Sequence, residues 1–404
     1  MLTTLLLAAA LSLPTPKSDE VRQIDEALVA CGTRHTLSSS SDPKRGIGCA
    51  RDKIVAYFNE AAKADDKAKV VVDRFETSGE RTGGKTIALE NVYLVLPGSD
   101  PALKSMVFIV SGHYDSRCTD VMDAACDAPG ADDDGSGTTV AIAAGRLLAG
   151  RERRATIVLA ALAGEEQGLF GGKRLFEWVK AEAYTVGGVL NNDIVGAVNG
   201  ASDKRMRVFC GTDDVAPARE LGVWLDEFVG SDVVRPVFRK DRFARGGDHL
   251  PFLEAGLPAV RFTEPREDYR HEHQTPRVEG GVSYGDLPEF LDSPFVARVA
   301  HVNADSALRL ANAPAPPASA YALGAVMQDS TVTFTAPDDA ERASFEILSR
   351  PTTEFRWTVV STAAAAGTVT IPGRTIDDVE FAVRSVGKNG QRSIAVPAPA
   401  RLKP

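Results

Sequence analysis

Apolar positions cluster into short runs that repeatedly end in polar, metal-competent residues. MVFIVSG leads into His113-Tyr114-Asp115, ATIVLAALAG into Glu165-Glu166, and VGGVLNN into Asp193. Helix-like segments alternate with these runs, which is the pattern of βα units. In open α/β sheets, ligands sit beyond the carboxyl ends of the strands. His113, Glu165, Glu166 and Asp193 all fall at such ends, so chemistry should converge there.

The same periodicities extend to either side. They predict helices over 21–30 and 50–64, a loop over 36–44, and strands over 70–75 and 86–96. A core strand follows over 106–111, then a long loop over 116–130 and a helix over 136–148 with Ser136 as its cap. Further strands are expected at 156–162, 186–194, 205–209 and 259–262. Helices are expected at 169–182, 216–229, 249–255 and 295–311. Beyond a Pro/Ala-rich stretch (ANAPAPPASA) the pattern changes to short runs at 330–335, 343–348, 355–360, 368–371, 379–386 and 393–396. Turn signals separate them, including Lys388-Asn389-Gly390, and together they predict a small β-sandwich.

The 404 residues suit two or three domains. The formal net charge of −9, with no basic run, argues against nucleic acid as a partner. Residues 1–17 contain an apolar Leu/Ala segment followed by Pro14 and Pro16. It is too short to span a bilayer and resembles the core of a secretory signal, although no Lys or Arg precedes it. Export to the periplasm or the medium is the expectation, with an apolar tail on a cytosolic protein as the alternative. An oxidising compartment permits disulfides. Cys118 and Cys126 lie in one loop and Cys31 and Cys49 form the natural second pair, leaving Cys210 as a buried thiol. Five unpaired cysteines are the alternative.

Asp132, Asp133, Asp134, Glu165, Glu166 and Asp193 at one sheet edge would repel one another unless cations neutralised them. Histidine and carboxylates without thiolates suit zinc, with manganese or cobalt also acceptable. Each residue also has an ordinary reading: His113 as a core histidine, the Asp triplet as a capped turn, the Glu pair as a helix start, Asp193 as a turn residue.

The motifs in order are HYD at 113–115, PGADDDGSG at 129–137, EE at 165–166, ND at 192–193, GGDH at 246–249 and a late histidine. In this the chain resembles the co-catalytic zinc aminopeptidases typified by bacterial leucyl aminopeptidase, over roughly Glu20 to Asn312. The resemblance implies an α/β fold: a three-layer α/β/α zinc exopeptidase domain with a mixed central sheet over 18–312. A linker at 313–320 and a small all-β sandwich at 321–404, similar to fibronectin type III domains, complete the chain. It implies two zinc ions bridged by Asp133, one completed by His113 and Asp193 and the other by Glu166 and His273. Asp115 would orient His113, and the Asp133–Asp134 peptide would be cis. His271 is the alternative last ligand, because Gln274 separates His273 from Thr275 where the family has Thr or Ser directly. Asp248 and His249 match a motif that is structural or lines the substrate pocket. His35 and His301 read as ordinary surface or helix residues.

The implied activity is that of a secreted, metal-dependent exopeptidase. It would release N-terminal amino acids from peptides or proteins, with Glu165 as general base to a water held between the metals. A monomer without a membrane span is expected. The alternatives are a carboxypeptidase, for which Arg242 or Arg245 could hold the substrate carboxylate, a glutaminyl cyclase, or a binding protein on a peptidase fold.

Overall fold

The computed structural model describes residues 13–402, so most of the apolar N-terminal segment lies outside the described residues. Two helices come first, α1 (Ser18–Val29) and α2 (Ile47–Ala62). Then follow β1 (Lys69–Thr77), β2 (Ile87–Leu96), β3 (Met106–His113), α3 (Gly137–Leu148), β4 (Thr156–Leu162), α4 (Phe170–Ala181) and β5 (Thr185–Asn192). The next elements are β6 (Met206–Phe209), α5 (Ala216–Phe228), β7 (Val234–Val237), α6 (Leu250–Glu254) and β8 (Ala259–Thr263). A hairpin of β9 (Arg277–Glu279) and β10 (Val282–Tyr284) precedes the long α7 (Ser293–Asn312).

Strands β1 to β8 form one mixed sheet in the order β1-β2-β4-β3-β5-β8-β6-β7. The centre, β4-β3-β5-β8, is parallel, while β2 joins β4 and β6 joins β8 antiparallel. Central strands read as unbroken apolar runs because both faces are covered. Alternate residues go to opposite cores. Phe108, Val110, Ile157, Leu159 and Leu190 join α1, α2, α3 and α7 in one core. Val107, Ile109, Val158, Ala160, Leu162 and Val189 join α4 and α6 in the other. The result is the three-layer arrangement. Truncating Ile109 or Leu159 to alanine would cost about 2–5 kcal/mol through the void it leaves.

The C-terminal strands are β11 (Ser319–Leu323), β12 (Ser330–Thr335), β13 (Arg342–Pro351), β14 (Thr358–Ala363), β15 (Gly367–Ile371), β16 (Val379–Gly387) and β17 (Val396–Pro397). They form a three-stranded sheet, β11-β12-β15, and a four-stranded sheet, β14-β13-β16-β17. Val332, Phe334 and Ile371 of the first meet Phe345, Ile347, Phe381 and Val383 of the second in one core. Strand β11 starts inside the stretch read as linker, and that stretch is buried rather than loose: Ala315 N donates to Asp339 at 2.8 Å. Arginines of the sandwich meet carboxylates of α5 and its C-terminal end: Arg350 with Glu220 at 3.2 Å, Arg356 with Asp226 at 2.6 Å, and Arg384 with Glu227 at 2.6 Å. Trp357 is half-buried and donates to Glu220 at 2.5 Å.

Three sequence expectations are corrected. Ser136 does not cap α3; it is already helical, and its hydroxyl donates to the Asp132 carbonyl at 2.7 Å. The run at 393–396 is mostly loop, with only Val396 and Pro397 paired. His35 is fully buried, its ring 2.9 Å from the Val121 carbonyl. Both expected disulfides are present, Cys31–Cys49 and Cys118–Cys126, and Cys210 is free and buried. Among the described residues no helix is long and apolar enough to cross a membrane.

Candidate metal centre

Strands β4, β3 and β5 lie side by side and parallel, so their carboxyl ends share one edge. His113 is the last residue of β3, Asp193 directly follows β5, and Glu165 and Glu166 follow β4 after a two-residue turn. Close backbone approach makes this possible. Gly112 lies against the Gly137–Thr138 backbone, and a side chain there would collide with it. The turn Ala131–Ser136 then swings Asp133 over the strand ends, through a cis Asp133–Asp134 peptide. Asp286 fixes that turn: its two carboxylate oxygens accept the Asp132 and Asp133 amides, each at 2.7 Å. Asp134 turns the other way, accepting the amides of His113 and Gly137 at 2.9 Å each.

Two donor sets result, and Asp133 is in both. His113, Asp133 and Asp193 form one, and Asp133, Glu166 and His273 the other, each with donor atoms within 4.8 Å of one another. His113 Nε2 is 3.2 Å from Asp133 Oδ1 and 4.0 Å from Asp193 Oδ1. His273 Nε2 is 2.8 Å from Asp133 Oδ2 and 2.9 Å from Glu166 Oε1. His271 faces away, its ring stacked on Phe290 with centroids 3.7 Å apart.

The donor chemistry fits a pair of divalent cations. Both sets mix imidazole with carboxylate and contain no thiolate. Glu166 Oε1 is buried and, apart from the His273 ring nitrogen 2.9 Å away, has no hydrogen-bond partner. The clustered acids also demand positive charge. Burial pulls the His273 imidazolium down, but Glu166 and Asp133 outweigh it and push the pKa up to about 11. Burial likewise opposes a charged His113, but Asp134, Asp115 and Asp133 hold it well above its usual value. Burial would raise Asp133, yet His273 and His113 hold it well below the usual carboxylate range. Glu165 is pushed well above that range, first by burial and then by Asp193 and Glu166, against the pull of His113.

Asp115 does more than orient a histidine. Its carboxylate accepts the amides of Gly164, Glu165 and Glu166 at 2.8, 3.1 and 3.1 Å, tying the ends of β3 and β4 together. His113 Nδ1 lies 3.1 Å from the Asp115 carbonyl and 3.5 Å from its carboxylate, so the shorter contact is to the main chain.

Asp133, Glu165, Glu166, Asp193 and His273 line an open cavity of about 560 Å³ together with Arg81, Arg117, Arg242, Arg245 and Leu169. Asp248 and His249 are not among its lining residues. Both are buried behind it, Asp248 accepting the Gly172 amide at 3.0 Å and His249 Nε2 lying 2.8 Å from the Lys240 carbonyl. Burial lifts Asp248 to a pKa of about 7. Asp248 thus ties its loop to α4 and His249 ties it to Lys240, and neither side chain lines the cavity.

Sequence reasoning missed three contributors. Arg261, fully buried on β8, bridges Asp193 Oδ1 at 2.7 Å and Asp241 Oδ1 at 2.9 Å. A charge inside the apolar run AVRFT is a visible signal, since arginine is almost never fully buried unpaired. Arg34, also fully buried, donates to the carbonyls of Tyr114 and Gly130 at 2.7 and 2.8 Å, bracing the strand end and the Asp turn. Asp286 has no local signal at all.

Fold and donor sets together define an α/β protein with a candidate paired-metal centre at the carboxyl edge of a mixed sheet. Residues 91–277 match Peptidase family M28. A probable zinc metalloprotease of Leptosphaeria maculans is 39% identical over 407 residues, covering 94% of each chain. The chain belongs to peptidase family M28. Solved structures share the fold: the LapA aminopeptidase of Legionella pneumophila (TM-score 0.57, 20% identity, 76% of this chain and 73% of that one). A glutaminyl cyclase of Fimbriiglobus ruber is also similar (TM-score 0.56, 19% identity, 74% of this chain and 96% of that one).

Proposed function

We propose that this chain is a zinc-dependent exopeptidase that releases N-terminal residues from peptides. The observation that carries the reading is the pair of donor sets sharing Asp133, with Glu165 on the wall of the same cavity. In this reading His113, Asp133 and Asp193 hold one ion, and Asp133, Glu166 and His273 the other. A pair of divalent ions held by these residues would supply polarisation of the scissile carbonyl and acidification of the attacking water. Glu165 takes that water's proton on its carboxylate and delivers it to the leaving amine. Asp115 holds Glu165 by its backbone amide, and Arg261 and Asp286 hold Asp193 and the Asp turn, so the charged groups are set before substrate arrives.

The two disulfides support a working life in an oxidising compartment outside the cytoplasm. The three- and four-stranded sheets around one core support a fibronectin type III-like assignment for 321–404. A full two-ion donor set favours hydrolysis over glutaminyl cyclisation. The test is a panel of aminoacyl chromogenic substrates on the zinc-loaded chain, with and without a chelator. Chelator-sensitive cleavage that an N-terminal acetyl group abolishes is the expected result. Cleavage of a peptide that survives N-terminal acetylation but is abolished by a C-terminal amide would instead mark a carboxypeptidase, and metal-independent cleavage would remove the reading.

A further inference from the structure

We propose that the cavity beside the metal centre is built to hold a substrate carboxylate, with Arg117 and Arg81 as its contacts; this rests on the exopeptidase reading and names its substrate class.

Four arginines line the cavity, and they divide into two kinds. Arg242 and Arg245 are already committed. Arg242 pairs with Asp241 at 3.1 Å and Glu267 at 3.0 Å, and Arg245 with Glu267 at 2.6 Å and Glu272 at 3.4 Å. Arg81 and Arg117 are not. Arg81 donates to the Glu166 carbonyl at 2.7 Å. Arg117 donates to the Cys118 and Thr119 carbonyls at 3.2 and 3.4 Å. Neither meets a carboxylate among the described residues. Main-chain carbonyls hold these two guanidinium groups in place without spending their charge.

Charge addition gives the same answer. In the proposed reading the lining acids Asp133, Glu165, Glu166 and Asp193 would be matched by two divalent ions. Glu267, Asp241 and Glu272 are shared by Arg242 and Arg245 with Arg207 and Arg261. Arg81 and Arg117 are then left over, on the wall against which a substrate must lie. A guanidinium fork fits a carboxylate in a way that a point charge does not. Arg81 is anchored on the backbone of Glu166, and Arg117 adjoins the Cys118–Cys126 bridge, so both are pre-positioned. The volume suits a ligand the size of a short peptide. The carboxylate could be the side chain of an acidic N-terminal residue or the C-terminus of a di- or tripeptide.

Two substrate pairs separate those sources on the zinc-loaded full chain: glutamyl against glutaminyl p-nitroanilide, and Leu-Ala against Leu-Ala-amide. The expected result is that one pair shows kcat/KM about 10- to 100-fold in favour of the free carboxylate, carried mainly by KM. Arg117→Gln and Arg81→Gln should each cut that ratio about tenfold, with Arg117→Lys retaining part of it. Calorimetric titration with glutamate and glutamine, and with Leu-Ala and its amide, should show the same order of affinities. Equal rates within both pairs, or a ratio that survives both substitutions, would overturn the proposal. Should none of the four be cleaved, the exopeptidase reading falls by itself, and the calorimetric order still decides whether a carboxylate is held.

Discussion

The two donor sets share Asp133 but are made in different ways. His113 and Asp193 come from the ends of adjacent strands, are 2% and 3% exposed, and are braced by Asp115 and Arg261. Glu166 and His273 depend on turns. His273 belongs to no helix or strand, has a side chain 29% exposed, and sits at φ 52°, a left-handed conformation that costs a non-glycine residue about 1–2 kcal/mol. Its stretch is tied down by Thr275, whose amide donates to Thr119 at 3.0 Å in the disulfide loop, and by Arg245 on Glu272. One half of the centre is therefore a property of the sheet. The other half is a property of loops that must close on it.

Asp133 is common to both halves, so its loss should erase the comparison. Asp133→Asn is expected to bring bound zinc, measured by metal analysis, from two ions per chain to below one and to abolish peptide cleavage. Glu165 serves the chemistry without belonging to either donor set. Glu165→Gln should lower kcat by about 10²–10⁴ while bound zinc stays unchanged; a fully active variant would remove Glu165 from the mechanism. The histidines test the asymmetry directly. His273→Ala should lose one ion and keep the other, whereas His113→Ala should lose the tighter ion and also lower the melting temperature of the metal-loaded chain. Equal zinc affinities at the two sites in competition with a chromogenic chelator would end the distinction. The smallest effect concerns a bracing residue. Asp115→Asn should weaken both sites about 10- to 100-fold, because that carboxylate faces His113 and also accepts the Glu166 amide.

The sheet-based half was largely legible in the chain. Strands buried on both faces write themselves as continuous apolar runs, and the change to polar residues marks the strand ends where ligands sit. The loop-based half was legible only through a family pattern. His271 and His273 are two residues apart in one irregular stretch, and only their settings in the fold separate them: His273 reaches Asp133 and Glu166, and His271 stacks on Phe290. Short edge elements left little trace: β7 is four residues including Pro236, and β9 and β10 are three exposed or half-exposed residues each. Asp286 and Arg34 act by reaching across 80 or more positions to backbone groups, which no local pattern records.

The seam between α5 and the C-terminal sandwich has one further consequence. Glu220 and Asp226 are buried there, and Glu227 lies at the exposed rim, each facing an arginine of the other part. A shortened chain ending at Asn312 would expose three acids on one helix without the sandwich arginines that face them. Trimming the tail would thus turn a quiet contact surface into a strongly anionic one, and the shortened chain should be less robust in dilute buffer than in brine.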